Sequence, residues 1–542
     1  LNVCVVLISF SLSSCTSVSN EMGNQLEKKS VAYIASFSGG IAVDEPRAAL
    51  VGRDMLLAGG SAIDAAVATY FVLAVTKPSA ASLGGGGICL VRDAKTQKVE
   101  LLDFRAQFNI SKTKKAPNLF GVPGNPYGFF ALHAKYGSLN WSQLLQPAEN
   151  LARFGYNISR SLGQDLHLTA KVLGRSKPVK NIFFATETDQ VLGEGDFVKQ
   201  TELSAILALI RSKGATELYR GPNAIEFAKA IRAAGGNISY DDLRNFSPQW
   251  RKTIEVPFIY DTTMHFPSLP ETVGLTTAQV MSVLLHNDLY KDSDQIERAH
   301  LLSEAFERVL ADSSRWRATA GDLLVDRKMI EPMYVKRLIE SFDSMRRVVT
   351  PGAPRAELDP TSQSSGVSFS VIDAAGSAVA CSLSMNRPFG VGKMARGTGV
   401  FLSALPIAGL QDNSLVAMIL DNKLGKNVYY ASAASGGATA SSALINVAAN
   451  VLISDRSDIQ ESINMKRVHH GGANGITYIE KGISSSILEG LAKRGHKLAY
   501  VNSMGVVNAV FCKSGVPRKK LEDVDCAVVS DPRGYGLAST LN

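Results

Sequence analysis

The chain is poor in the features that mark small or specialised folds. Six cysteines among 542 residues are too few for a disulfide scaffold, and none stands in a C-x-x-C pair. No H-E-x-x-H pattern occurs, so the sequence offers no support for a metal site, and nothing in it implies a cofactor. Beyond the extreme N-terminus there is no apolar run of bilayer-spanning length. The nearest, Ala62 to Val75, is about 14 residues long and contains Asp64, which fits a buried helix. The formal charge of +8 comes from scattered Lys and Arg, with Arg518-Lys519-Lys520 the only tight basic triplet. Neither a zinc-finger spacing nor an aromatic-rich RNA-binding segment accompanies it, which sets nucleic acid aside as a partner. The four glycines Gly84 to Gly87 lack the Lys-Ser/Thr pair and following helix of a phosphate loop. What remains, 45% apolar and 20% charged residues, is the balance of a globular protein with a large core.

The N-terminus carries a different signal. Val3 to Leu12 is short and apolar and leads into Leu12-Ser13-Ser14-Cys15, placed like the h-region and cleavage site of a signal peptide. It resembles a bacterial lipobox, in which the cysteine is lipidated. The expectation is a signal peptide over residues 1–15, with Cys15 the lipidated residue of an exported, periplasmic protein held to the membrane by its lipid anchor. Ordinary cleaved secretion is the alternative. Cys89 and Cys381 lie in apolar strand-like runs and are expected as small core residues. Cys512 and Cys526 flank a basic loop between two strand-like segments and are the one candidate disulfide, a hairpin staple suited to an oxidising compartment.

A polar linker over residues 16–30 precedes Val31 to Val43, which reads as strand, turn and strand around Gly39-Gly40. Helices are expected from Pro46 to Leu57 and from Ser61, an N-cap, onward. The glycine run leads into a buried strand at Ile88 to Val91, with Val99 to Phe104 its hairpin partner. Apolar spacings of three and four predict helices over Tyr127 to Tyr136, Trp141 to Arg153, Glu202 to Lys213 and Gln295 to Arg317. After a Pro- and Ser-rich linker, Gly352 to Ser365, strands return at Val367 to Ile372, Ala378 to Met385, Val416 to Leu420 and Val428 to Ala433. A helix is expected from Ala438 to Leu452. Strands at both ends with helices between them suggest a sheet pair assembled from distant parts of the chain and clad by helices.

Several separated segments resemble gamma-glutamyltransferases. They are Gly60 to Ala68 with the glycines Gly84 to Gly87, Leu102-Asp103-Phe104-Arg105, Val122-Pro123-Gly124, Met385 to Gly390, Ser435-Gly436-Gly437, Arg467-Val468-His469-His470 and Asp531-Pro532-Arg533. The resemblance implies an α/β (α+β) fold, the four-layer αββα sandwich of N-terminal-nucleophile hydrolases. Residues 31–365 would be the large-subunit-like region and 366–542 the small-subunit-like region of that one domain. It also implies a mechanism. The precursor cuts itself before a catalytic Thr, whose freed amine activates its own hydroxyl for attack on a γ-glutamyl amide such as glutathione. In that scheme Gly436 and Gly437 match the oxyanion donors. Arg105 matches the fork onto the substrate carboxylate, and Asn386 lies near the substrate amine. His469 and His470 match a structural pair.

The hairpin that should carry the nucleophile departs from this pattern. Aligned on Phe369 to Asp373, the family's catalytic Thr falls on Gly366, which has neither a hydroxyl to form an ester nor one to start self-cleavage. The acidic partner of the substrate ammonium should lie within Val400 to Ala408, where there is no carboxylate, and the family's Ser-Ser pair falls on Val416-Ala417. Each unpaired polar group on a bound amino acid would cost roughly 1 to 3 kcal/mol. Two readings stay open. In the preferred one the protein is a catalytically silent member; in the other it cleaves at Ser364-Ser365 and Ser365 serves as nucleophile on a related amide.

Overall fold

The computed structural model describes residues 37–107, 120–268, 272–316, 328–350, 366–406, 415–454, 458–472, 474–517 and 525–541. The expected signal peptide, Cys15, the linker and Ser365 lie outside these.

Two antiparallel sheets stack face to face. One has the strand order β18 (Leu537–Leu541), β1 (Gly39–Val43), β9 (Gly366–Asp373), β10 (Ala378–Ser384), β2 (Gly86–Asp93), β3 (Lys98–Asp103) and β6 (Gln249–Lys252). The other runs β17 (Cys526–Ser530), β16 (Val506–Val516), β12 (Asn427–Ser435), β11 (Val416–Asn422), β8 (Thr262–Phe266) and β7 (Ile254–Pro257). A small sheet, β13 (Val468–His470), β14 (Ile476–Glu480) and β15 (Lys497–Val501), lies outside the pair, as does the short ribbon of β4 (Tyr156–Asn157) and β5 (Phe197–Val198).

Strand alternation builds the layers. In β2, Ile88 and Leu90 point to the space between the sheets with Ala417, Ile419 and Val510, whereas Cys89 and Val91 point to the opposite face, toward the helices. On that face lies helix Ala62–Thr76, every residue of which is buried. Its start is fixed by a capping box: Ser61 Oγ accepts from the Asp64 amide and Asp64 Oδ2 from the Ser61 amide at 2.9 Å. Asp373, in the turn of the β9–β10 hairpin, accepts from the Ala62 amide at 2.8 Å and so ties hairpin to helix. Helices Thr272–Leu285, Gln295–Trp316 and Ala440–Leu452 cover the second sheet. The result is the expected αββα sandwich. Arg92 of β2 joins the two sheets by donating to Asp421 of β11 at 3.0 Å, and His265 of β8 meets the other carboxylate oxygen at 3.0 Å.

Three expectations are corrected. Cys89 and Cys381 are not free core thiols: they face each other in the β2–β10 register and form a disulfide, as Cys512 and Cys526 do between β16 and β17. Gly39-Gly40 is not a turn but the start of β1, where a Cβ on Gly40 would stand 2.4 Å from Val528 Cγ2, so the strand packs too closely there for a side chain. The helix expected from Ala438 begins at Ala440, after a 3₁₀ turn over Gly437–Thr439. Among the described residues, no helix is long and apolar enough to cross a membrane.

Candidate active site

The site is built at one end of the sheet pair. Gly366 opens β9 and pairs with Ser384 of β10, which pairs in turn with Gly86 of β2. Gly86 lies against the chain at Arg105, where an added Cβ would come within 2.8 Å of Arg105 Cα. Three strand spacings, about 14 Å of sheet, therefore separate Gly366 from the backbone that carries Arg105. From the second sheet, β12 ends at Ser435, and Gly436 and Gly437 turn the chain into helix Ala440–Leu452.

The glycine pair is required by that turn. Gly436 has φ +120° and Gly437 +60°, and a Cβ on Gly436 would stand 2.6 Å from Gly505 Cα. The Thr439 hydroxyl donates to the Gly436 carbonyl at 2.9 Å, which fixes the peptide. Amides at the head of a helix suit an anion. Gly366 differs: its φ lies outside the left-handed region, and a Cβ placed there would meet Ser435 Cβ at 3.2 Å, the Leu383 carbonyl at 3.4 Å and the Gly436 amide nitrogen at 3.7 Å. A side chain on residue 366 would therefore lie beside the Gly436 amide.

Behind Gly366 is a polar network that the sequence reading missed. Asp44, just past β1, accepts from the Ser368 amide at 2.9 Å and from the Ser435 hydroxyl at 3.2 Å, and Asn508 Nδ2 donates to its other oxygen. Asn508 also donates to the Ser368 carbonyl at 2.9 Å. Burial pushes the Asp44 carboxyl up to about 6, against the opposing pull of the Ser368 amide, Asn508, Lys77 and Ser435. Its only signal in the sequence is an acidic residue directly after an apolar strand.

The predicted ligand contacts fare unevenly. Arg105 is at the site end of the sheet, but its guanidinium forks onto Asp103, with Nε–Oδ1 and Nη2–Oδ2 both 2.9 Å. Burial raises the Asp103 carboxyl, and the hydrogen bonds and charge of Arg105 outweigh it and hold the group below the usual range. Asn386, at φ +63°, donates Nδ2 to the Ala404 carbonyl at 2.8 Å and so braces the following loop, leaving its amide oxygen as an acceptor. Val416 and Ala417 are buried in β11. His469 Nδ1 pairs with the Ser442 hydroxyl at 2.7 Å, and His470 Nε2 lies 3.3 Å from Glu307, each inside the packed second layer.

Paired sheets clad by helices, with a strand start facing a glycine turn, define the N-terminal-nucleophile hydrolase fold. The cephalosporin acylase of Bacillus halodurans shares it over 97% of this chain and 99% of its own, with a TM-score of 0.77 at 19% identity. Within that class the chain belongs to the gamma-glutamyltranspeptidase family, whose model matches residues 48–404 and 412–541. It is 26% identical to the glutathione hydrolase proenzyme of Escherichia coli over 87% of this chain and 88% of that one. Scoloptoxin SSD14 of Scolopendra dehaani is 27% identical, over 86% and 87%.

Proposed function

We propose that this chain is a catalytically silent member of the gamma-glutamyltranspeptidase family that acts at the cell envelope, anchored through a lipid on Cys15, and keeps the substrate end of the sheet pair as a small-molecule binding site. One observation carries the reading: the residue that faces the Gly436 amide from the start of β9 is Gly366, which has no atom able to attack an acyl group. The loss is not isolated, since the positions matched to the serine pair are the buried Val416 and Ala417. A ligand carboxylate has two places to go, the amides of the glycine turn and Arg105, where it must compete with Asp103. The two disulfides favour an oxidising compartment.

The test is a reducing denaturing gel of the purified mature protein, followed by a γ-glutamyl anilide assay. A single band at full mature mass and no anilide hydrolysis are expected. Two bands, the smaller starting at Ser365 by N-terminal sequencing, together with activity lost in Ser365→Ala, would replace this reading with an active amide hydrolase.

A further inference from the structure

On the far side of the second sheet, away from Gly366, three ligand-type side chains from distant parts of the chain converge. His300 and Glu304 stand one turn apart on helix Gln295–Trp316, and His496 lies just before β15. All three residues are buried, and one ligand atom from each falls within 4.8 Å of the others. We propose that His300 Nδ1, His496 Nε2 and Glu304 Oε1 form a binding site for a divalent transition metal, zinc first, that pins the small β13–β14–β15 sheet to the helical layer.

The surroundings of each ligand atom support this. His300 Nε2 is 2.9 Å from the Asp343 carbonyl, which only accepts, so the ring proton sits on Nε2 and Nδ1 presents its lone pair to the cluster. His496 Nδ1 lies 3.1 Å from the Thr477 hydroxyl, which can accept a hydrogen bond from Nδ1–H once a metal takes Nε2; without metal, Nε2 carries the proton in its bond to His300 Nδ1. One oxygen of Glu304 is held by Arg308 Nη1, while Oε1 is buried without a hydrogen-bond partner, and a carboxylate oxygen of this residue lies within the cluster. Each ligand thus has the outer partner that metal-binding imidazoles and carboxylates require. A buried carboxylate oxygen with nothing to accept from is costly, and a cation between it and the imidazoles would remove the cost.

Two imidazoles and one carboxylate select zinc over magnesium or calcium, which take oxygen ligands. Three protein ligands leave a fourth position for water. The two ring nitrogens stand 2.7 Å apart, as in a direct hydrogen bond. On a tetrahedral zinc they would sit about 3.3 Å apart, so loading requires the rings to separate by roughly half an ångström. The charges near the cluster are Arg308 on Glu304, Arg494 and Asp343 near His300, and the neighbouring Glu307 with its own partners Arg347 and His470. Arg308 already offsets part of the charge of Glu304, and Arg494 stands near His300, which favours a moderate rather than an extreme affinity for the cation.

The experiment uses the full chain without a histidine tag, stripped with a chelator, dialysed against zinc chloride, desalted and analysed for metal. About one zinc per chain is expected to remain, magnesium in excess should not displace it, and the thermal midpoint should rise with zinc concentration. Glu304→Gln keeps an oxygen for Arg308 but takes away its buried carboxylate, so it should fold with a lower thermal midpoint and retain less than about a fifth of the metal. His496→Ala should do the same. Wild-type retention below that level overturns the site, whatever the variants do. Equal retention in folded Glu304→Gln and wild type overturns it as well.

Discussion

Replacing Gly366 by threonine tests whether the position is a vacated one or a glycine demanded by packing. The backbone there is outside the left-handed region, and the nearest atoms to an added Cβ are at 3.2, 3.4 and 3.7 Å. Only the first is tight, and it is a side-chain carbon at the end of β12. Ser435 Cβ moves only with its backbone, and a shift of a few tenths of an ångström there, costing about 1 kcal/mol, relieves it. Against that stand a less flexible unfolded chain, about 0.5 to 1 kcal/mol, and the preference of a β-branched residue for a strand, up to about 1 kcal/mol. The net change in unfolding free energy should lie within about 1 kcal/mol of wild type. Urea denaturation followed by intrinsic fluorescence measures it. Gly436→Ala is the contrast, because φ +120° and a 2.6 Å approach to Gly505 Cα oppose any side chain, and it should cost at least about 2 kcal/mol. A loss above about 3 kcal/mol in Gly366→Thr would mean that the glycine is there for close packing, and the argument for an emptied nucleophile position would fail.

Three further outcomes follow from buried groups. Asp44 titrates near 6 in the fold against an ordinary 3.8. The folded state therefore binds the extra proton between these values, and stability present below pH 4 is lost as pH rises through 6, by about 3 kcal/mol at most. Urea midpoints from pH 4 to 7 should fall in wild type and flatten in Asp44→Asn; equal slopes would refute the assignment. Removing the Cys512–Cys526 bond, which spans 14 residues, by a double Ser substitution should cost about 3 kcal/mol, read as a lower thermal midpoint. Arg92→Met leaves Asp421 buried with His265 alone and should cost about 3 to 5 kcal/mol. Adding Asp421→Leu should recover part of that loss; no recovery would show that packing, not charge, set the effect.

Where function was legible, it was legible locally. The Ser61 cap, the helix from Pro46 to Leu57, the strands after residue 366 and the glycine pair are specified by neighbours within a few positions, and the structure has them close to where the pattern puts them. Cys89 and Cys381 were misread because each looks like one more small apolar residue in its own strand. Their pairing exists only once β2 and β10 lie side by side, 292 positions apart in sequence. His300 and Glu304 are visible as an i, i+4 pair, but His496 completes the group from 196 residues away. Asp44 carries little local signal beyond its place after an apolar strand, because its meaning comes from Ser368, Ser435 and Asn508, each brought from another strand. Long-range polar groups are thus where reading by period and motif fails, since neither records which strands become neighbours.

The Cys89–Cys381 bond also changes what cutting this chain would mean. One sulfur lies before residue 365 and the other after it, so a peptide bond broken anywhere between them would give two polypeptides that remain one covalent molecule. Loss of the β9 hairpin from the sheet would be held in check by a tether at its own partner strand. Proteolysis in this region would be invisible to size-exclusion chromatography or a non-reducing gel, and only a reductant would release the pieces.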